Sequence, residues 1–216
     1  PTGHTLRLLE LPAEWSQSID AASEGSGQTC IGPAAAIQDA KHKYERTMAV
    51  MRDPSATIFT FVLHPEAVAI KETRRAIAEL GKLGIVNHQL IVNSVIPPEA
   101  RTNPLFAARA EMQTRYLAQI TQELPVPVRT MALLPGEIKG AKSLRAVGAI
   151  FFDGAGTAHF GQNGATPRTF SALPTLDGVV ERVSPNGHNR AVFFAGKGGV
   201  GKTVASCITA VWLARQ

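Results

Sequence analysis

The chain has 216 residues, 44% of them apolar and 6% aromatic, and a formal net charge of +5. Ordinary apolar content excludes a disordered or fibrous class, and Lys and Arg scattered without a run of three, with few stacking side chains, argue against a nucleic-acid binder. No apolar run approaches the ~20 residues that a bilayer-spanning helix needs. Pro1 to Glu10 lacks a secretory-signal pattern, and Cys30 and Cys207 suggest no disulfide framework. The expectation is a soluble, cytoplasmic protein of one domain or parts of two.

PTGHTLRLLE opens with a turn and passes into an apolar helical pattern through Leu6 and Leu9, which Pro12 bends or restarts. Taken alone, His4 in that turn reads as a surface or capping residue. Residues 21–32, AASEGSGQTCIG, read as a loop, and Cys30 by itself reads as a small buried hydrophobe. A helix is expected over 34–52, with Ile37, Tyr44, Met48 and Met51 inward. TIFTFVL at 57–63 reads as a strand. A helix starts at Pro65 and runs to Leu83, with Ile70, Ile77 and Leu80 as its buried stripe and Gly84 placed to stop it. His88 to Val92 forms the next strand, closed by Asn93. Strand, helix, strand at this spacing is a βαβ unit, so the sheet is parallel and ligands belong at strand carboxyl ends.

Asn93 lies at such an end, where an Asn is as often a turn residue. A helix over 104–122 follows, with Asn103 as N-cap, Pro104 at its first position, and Leu105, Ala108, Met112 and Ile120 as its inner face. Val126 to Leu134 is a third strand leading into LPGEIKG, which with Pro135 reads as a strand-to-helix connection. Ser143, Leu144 and Val147 close this lobe. Residues 153–190 hold nine Gly or Pro among thirty-eight, which marks a linker. Within it, Leu173, Leu176, Val180 and Val183 could form one short amphipathic turn.

The sharpest motif comes last. Val192, Phe193 and Phe194 form a short strand, Gly196 to Thr203 fits G-x-x-x-x-G-K-[ST], and Ala205, Ile208, Val211 and Trp212 recur at helical spacing. Gly196, Gly198, Gly199 and Gly201, with Val200 among them, let backbone N–H groups turn inward at an anion on the helix N-terminus. Lys202 would neutralise β and γ phosphate oxygens, and the Thr203 hydroxyl would complete a Mg²⁺ shell. The general pattern does not require Lys197, which alone reads as a solvated charge or as a second cation for the nucleotide.

With Lys197, GKGGVGKT resembles the deviant phosphate-loop ATPases, which include nitrogenase iron protein, septum-site and partition ATPases, and arsenical pump-driving ATPases. In that group the extra lysine reaches the nucleotide held by the other subunit or half. PTGHTLRLLELP resembles the arsenical pump-driving family's D-T-A-P-T-G-H-T segment, and GQTCIGP its S-C-L-G-P segment, whose cysteine binds arsenite or antimonite. IVNSVIPPE resembles V-N-x-x-x-P, whose Asn reads the adenine edge, and Gln113 and Tyr116 extend the likeness. LPGEIKG resembles the P-x-x-x-E-[IV]-[RK]-G loop that packs over adenine near Pro135.

The resemblance covers about residues 1–146 and 188–216. It implies an α/β P-loop NTPase fold like that of nitrogenase iron protein, a mostly parallel sheet flanked by helices, in tandem pseudo-dimeric halves of which this chain holds an incomplete portion. Residues 1–146 would be the carboxyl-terminal portion of the first half, 147–187 a linker, and 188–216 the start of the second. The implied activity is ATP hydrolysis that energises arsenite or antimonite extrusion through a membrane pump, with ATP and Mg²⁺ as cofactors.

Nucleotide-binding residues would be Gly196, Gly198, Gly199, Val200, Gly201, Lys202, Thr203, Asn93 and Pro135. Lys197 and Lys202 would be catalytic, Thr203 would face magnesium, and His4 and Cys30 would bind the metalloid. Asn93 and Pro135 would serve the first half's nucleotide and Lys202 and Thr203 the second's, whose body would lie outside this chain. The 216 residues alone are then expected neither to hydrolyse ATP nor to fold completely. Implied partners are the arsenite efflux protein, at the inner face of the plasma membrane, and a metallochaperone, with no nucleic acid. The alternative is the related ATPase that escorts tail-anchored membrane proteins. The sequence departs from that carrier in its tandem halves, its short segment between Cys30 and Asp53, and the lack of C-x-x-C after Asn93. A partition-type ATPase acting on DNA or membranes is disfavoured by PTGHTLRLL and the scattered charges.

Overall fold

TIFTFVL combines β-branched and aromatic residues at nearly every position, and all seven of its residues are buried, as a strand flanked on both faces requires. In the computed structural model, which describes residues 34–154, 158–160, 168–170 and 191–215, it is strand β1 (Thr57–Leu63). His4, Cys30 and the turn expected at 173–183 lie outside the described residues. The other strands are β2 (His88–Val95), β3 (Val128–Ala132), β4 (Ala158–Phe160), β5 (Arg168–Phe170) and β6 (Ala191–Ala195). The helices are α1 (Ala34–Arg52), α2 (Ala67–Lys82), α3 (Pro104–Glu123), α4 (Gly140–Gly148) and α5 (Lys202–Leu213), with a π-helical turn at Ala149–Asp153 after α4.

The main sheet has the order β3-β2-β1-β6 with every pair parallel, while β4 and β5 form a separate antiparallel pair. Alternate strand residues face opposite helical layers. Phe59, Phe61, Leu63, Leu90 and Val92 pack with Met48 and Met51 of α1, Ile70 and Leu80 of α2 and Ile120 of α3. Val62, Ile91 and Met131 pack with Val147, Ile150, Phe151 and Phe152, and with Ala205, Ile208 and Trp212 of α5. The expected α/β class with a parallel sheet between helices is thus the observed one.

Element ends follow from caps. Helix α2 stops in a Schellman motif: Gly84, at φ +77°, donates from N–H to the Gly81 carbonyl, and Ile85 to that of Leu80. It starts two residues later than expected, with Glu66 in an extended conformation as N-cap. At the start of α3 the Asn103 side chain accepts from the Leu105 N–H at 3.0 Å, and Pro104 takes the first helical position, both as expected. Strand β3 is shorter than the expected 126–134.

Helix α3 turns a different face inward from the one its apolar residues suggest. Leu105 is 80% exposed, Met112 46% exposed, and Ala108 is exposed too; the buried residues are Ala110, Gln113 and Ile120. The inward stripe is set by Gln113, a polar residue that meets the backbone at the end of β2. Val147, which closes the lobe, is core, and the packing continues past it. Residues 147–152 pack on α5, the Phe152 and Trp212 rings stack at 4.5 Å, and Trp212 Nε1 donates to Asp153 Oδ1 at 2.6 Å.

His88 sits against the Phe59 and Phe61 rings, with centroids 6.3 and 5.8 Å away. Burial pushes its pKa below the ordinary 6.5, and a hydrogen bond with the Ile85 backbone opposes that shift only in part. The native state therefore binds fewer protons than the unfolded chain. The stability this contributes is complete above the unfolded pKa and is lost as pH falls from 6.5 through the lower folded-state value. Thermal melts between about pH 7.5 and about pH 5 should show a steeper acid loss in the parent than in His88→Gln. Parallel loss in both proteins would remove His88 as its source.

Candidate functional site

Because all four strands of the main sheet are parallel, their carboxyl ends share one edge, where the 196–203 loop joins β6 to α5. The slot beside β1 takes an apolar strand, and AVFFA fills it from Thr57↔Ala191 to Phe61↔Ala195, with Phe193 stacked on Phe59 at 4.9 Å. Within this chain the loop is built onto the sheet that carries Asn93.

Two glycines show why the loop needs its sequence. Gly196, at φ +146°, crosses the end of β1 so closely that an added Cβ would lie 2.1 Å from the Val62 carbonyl oxygen. Gly201, the N-cap of α5 at φ +94°, lies against Asn93, whose Nδ2 would be 2.3 Å from such a Cβ. Between them Val200 is buried and anchors the loop in the core with Ala205 and Ile208. Lys202 folds back, its Nζ donating to the Lys197 carbonyl at 2.8 Å, while the Lys197 side chain and Thr203 are exposed.

Asn93 Nδ2 donates to the Val200 carbonyl at 2.8 Å. The structure thus brings Asn93 together with Val200 and Gly201. Pro135 follows β3 at the same sheet edge and is exposed.

The residues that hold Asn93 in place were not singled out for the site from sequence. β2 shifts register between Val92 and Val95, and there Ser94 adopts φ +61°, a left-handed conformation unusual for a non-glycine residue. Asn93 Oδ1 accepts from the Ser94 N–H at 2.7 Å. Gln113 Oε1 accepts from the Ile96 N–H at 2.8 Å, and its Nε2 donates to the Ser94 carbonyl at 3.0 Å. Gln113 entered there only as part of the family likeness; the further signal was positional, since it falls in line with Ala110 and Ile120 on one helix face.

Chemically, the loop is an anion cradle. A twelve-residue helix presents its N-terminal N–H groups there, the glycines keep side chains out of the turn, and the Lys202 ammonium rests on a carbonyl that a phosphate can replace. These residues fit a nucleotide's phosphates: Lys202 would meet their oxygens, and the Thr203 hydroxyl would offer one ligand to a divalent cation. Among the described residues, no group of three His, Cys, Asp or Glu could hold a metal ion, and no helix is long and apolar enough to cross a membrane.

Comparison with known proteins agrees with this geometry. The model of the anion-transporting ATPase family matches residues 1–153 and 189–216. The chain is 32% identical over 222 residues to an arsenical pump-driving ATPase of Escherichia coli, a match covering 99% of this chain and 36% of that protein. It is also 32% identical over 216 residues to the arsenical pump-driving ATPase of Acidiphilium multivorum, with 99% and 36% covered. The ATPase ASNA1 homolog of Dictyostelium discoideum is 32% identical over 163 residues, 67% of this chain and 49% of that protein. The chain spans about a third of the length of the arsenical relatives it matches. With the matched residues flanking both sides of 154–188 and ending in a phosphate loop on a parallel sheet, the chain belongs to the anion-transporting ATPase family.

Proposed function

We propose that this chain is part of an ATPase that binds ATP and Mg²⁺ at the 196–203 loop and couples hydrolysis to extrusion of arsenite or antimonite through a membrane partner. The observation that carries this reading is the meeting of Asn93 with Val200 and Gly201 at the N-terminus of α5. A phosphate cradle with Asn93 and Pro135 on the same sheet edge suits a nucleotide better than a free phosphate. Lys202 would meet the nucleotide's phosphate oxygens, Thr203 would help hold Mg²⁺, and Pro135 would pack over the base. Lys197, exposed at the loop's start, is available to a nucleotide in an adjoining half.

The division into two halves joined by a linker is supported by the family match, which stops at residue 153 and resumes at 189. Cys30 and His4 are proposed as metalloid ligands, because a thiolate is the donor that a soft trivalent arsenic prefers. The pump reading is favoured over the tail-anchor carrier because the arsenical relatives align over 99% of the chain, whereas the ASNA1 homolog aligns over 67%. The protein would then work in the cytoplasm, docked on its membrane partner, with a metallochaperone delivering the metalloid. In the intact protein, arsenite or antimonite should raise the ATPase rate. Cys30→Ser should raise the half-maximal metalloid concentration by about 10-fold or more, the scale of a lost metal-site interaction. A parent rate indifferent to both metalloids would sink the pump assignment.

A further inference from the structure

We propose that Gln113 is a positioning residue for the nucleotide site, acting through the left-handed Ser94 and through Asn93 on the phosphate loop. This rests on reading the loop as that site. The chain of contacts is continuous. Gln113 is only 4% exposed, and both ends of its amide are used on one stretch of backbone, Oε1 on the Ile96 N–H and Nε2 on the Ser94 carbonyl. A left-handed conformation is costly for serine and persists where its surroundings fix it. Gln113 grips the backbone just after the turn, at the Ser94 carbonyl and the Ile96 N–H, while Asn93 Oδ1 takes the Ser94 N–H before it.

The reversal at Ser94 decides where Asn93 points. With its Oδ1 held by the Ser94 N–H, the amide can present only Nδ2 outward, and Nδ2 meets the Val200 carbonyl in the loop. Relaxing Ser94 to an extended conformation would undo the register shift between Val92 and Val95 and swing Asn93 away from Gly201. Gln113 thus tunes nucleotide affinity from the opposite end of a hydrogen-bonded relay. The relay reaches the loop at Val200 through Asn93, whereas the Lys202 ammonium is held separately, at the Lys197 carbonyl. The relay should therefore set KM for ATP more than kcat.

The test uses the intact protein and ATP. Gln113→Met removes both bonds at similar volume and should raise KM by about 10-fold, the scale of one lost hydrogen bond, with kcat within about twofold. Glycine adopts the left-handed conformation without cost, so in a Ser94→Gly background the same Gln113→Met change should leave KM at the value of Ser94→Gly alone. Ser94→Val, β-branched and ill suited to that conformation, should raise KM with Gln113 intact, which keeps the proposal testable should Gln113→Met not fold. General weakening of α3 would not be cured by glycine at 94. An unchanged KM in Gln113→Met or in Ser94→Val, or a double variant as weak as Gln113→Met, overturns the proposal. Lys202→Ala serves as reference. If it too binds ATP normally, the loop is not the site and the proposal falls with that reading; if it alone loses ATP, only the positioning role is rejected.

Discussion

Lys202→Ala should lower ATP affinity on the order of 100-fold or more while leaving the fold in place. The ammonium lies at the helix N-terminus and already faces the loop, donating to the Lys197 carbonyl in an exposed turn. That bond is in contact with water, so its loss costs the folded protein no more than about 1 kcal/mol. In the bound state the same ammonium would make two or three charge-assisted bonds to phosphate oxygens. Each is worth roughly 1.5–3 kcal/mol, and every 1.4 kcal/mol is about tenfold in affinity. The difference between those two costs makes the prediction selective: equilibrium titration with ATP should fail while the melting temperature moves by only a few degrees. Affinity within a few-fold of the parent would show that the loop does not hold the nucleotide's phosphates.

The parts of this site that depend on local chemistry were legible in the sequence. The glycine spacing and Lys202 define a cradle because only certain residue types permit that backbone, and the structure puts two of those glycines, Gly196 and Gly201, where a Cβ would collide with Val62 or Asn93. The βαβ order, the Gly84 stop and the Asn103 cap were legible for the same reason, since each is settled within a few residues. What could not be read is what depends on contacts between distant segments. Apolar periodicity in α3 pointed to Leu105, Ala108 and Met112, but the interior of that helix is decided by a polar residue satisfying backbone groups of β2. Likewise nothing in AVFFA states that it pairs with β1 rather than with another strand, because any parallel apolar neighbour satisfies its alternation. That residues 147–152 pack on α5 could not be read either, since their partners, Ile208 and Trp212, lie about sixty residues further on.

Gly196→Ala is expected to damage both the fold and the site, in contrast to the same change two residues later. A methyl at 196 would sit 2.1 Å from the Val62 carbonyl oxygen and 3.2 Å from the Val62 carbonyl carbon, both backbone atoms of β1 that cannot rotate away. Residue 196 also holds φ +146°, which L-residues rarely adopt. Overpacking and backbone strain each cost about 1–3 kcal/mol, so the variant should lose roughly 2–5 kcal/mol of stability. The least costly escape is for the end of β6 to lift from β1, which breaks the Phe61↔Ala195 pairing and moves the loop off the sheet edge. ATP binding should then fall with stability. At Gly198 an added Cβ meets nothing within 4 Å, so Gly198→Ala should melt close to the parent. Melting curves of the two variants, with and without ATP, separate a steric requirement of the fold from the needs of the nucleotide. Equal melting temperatures for Gly196→Ala and Gly198→Ala would mean that β6 does not cross β1 as closely as this structure has it.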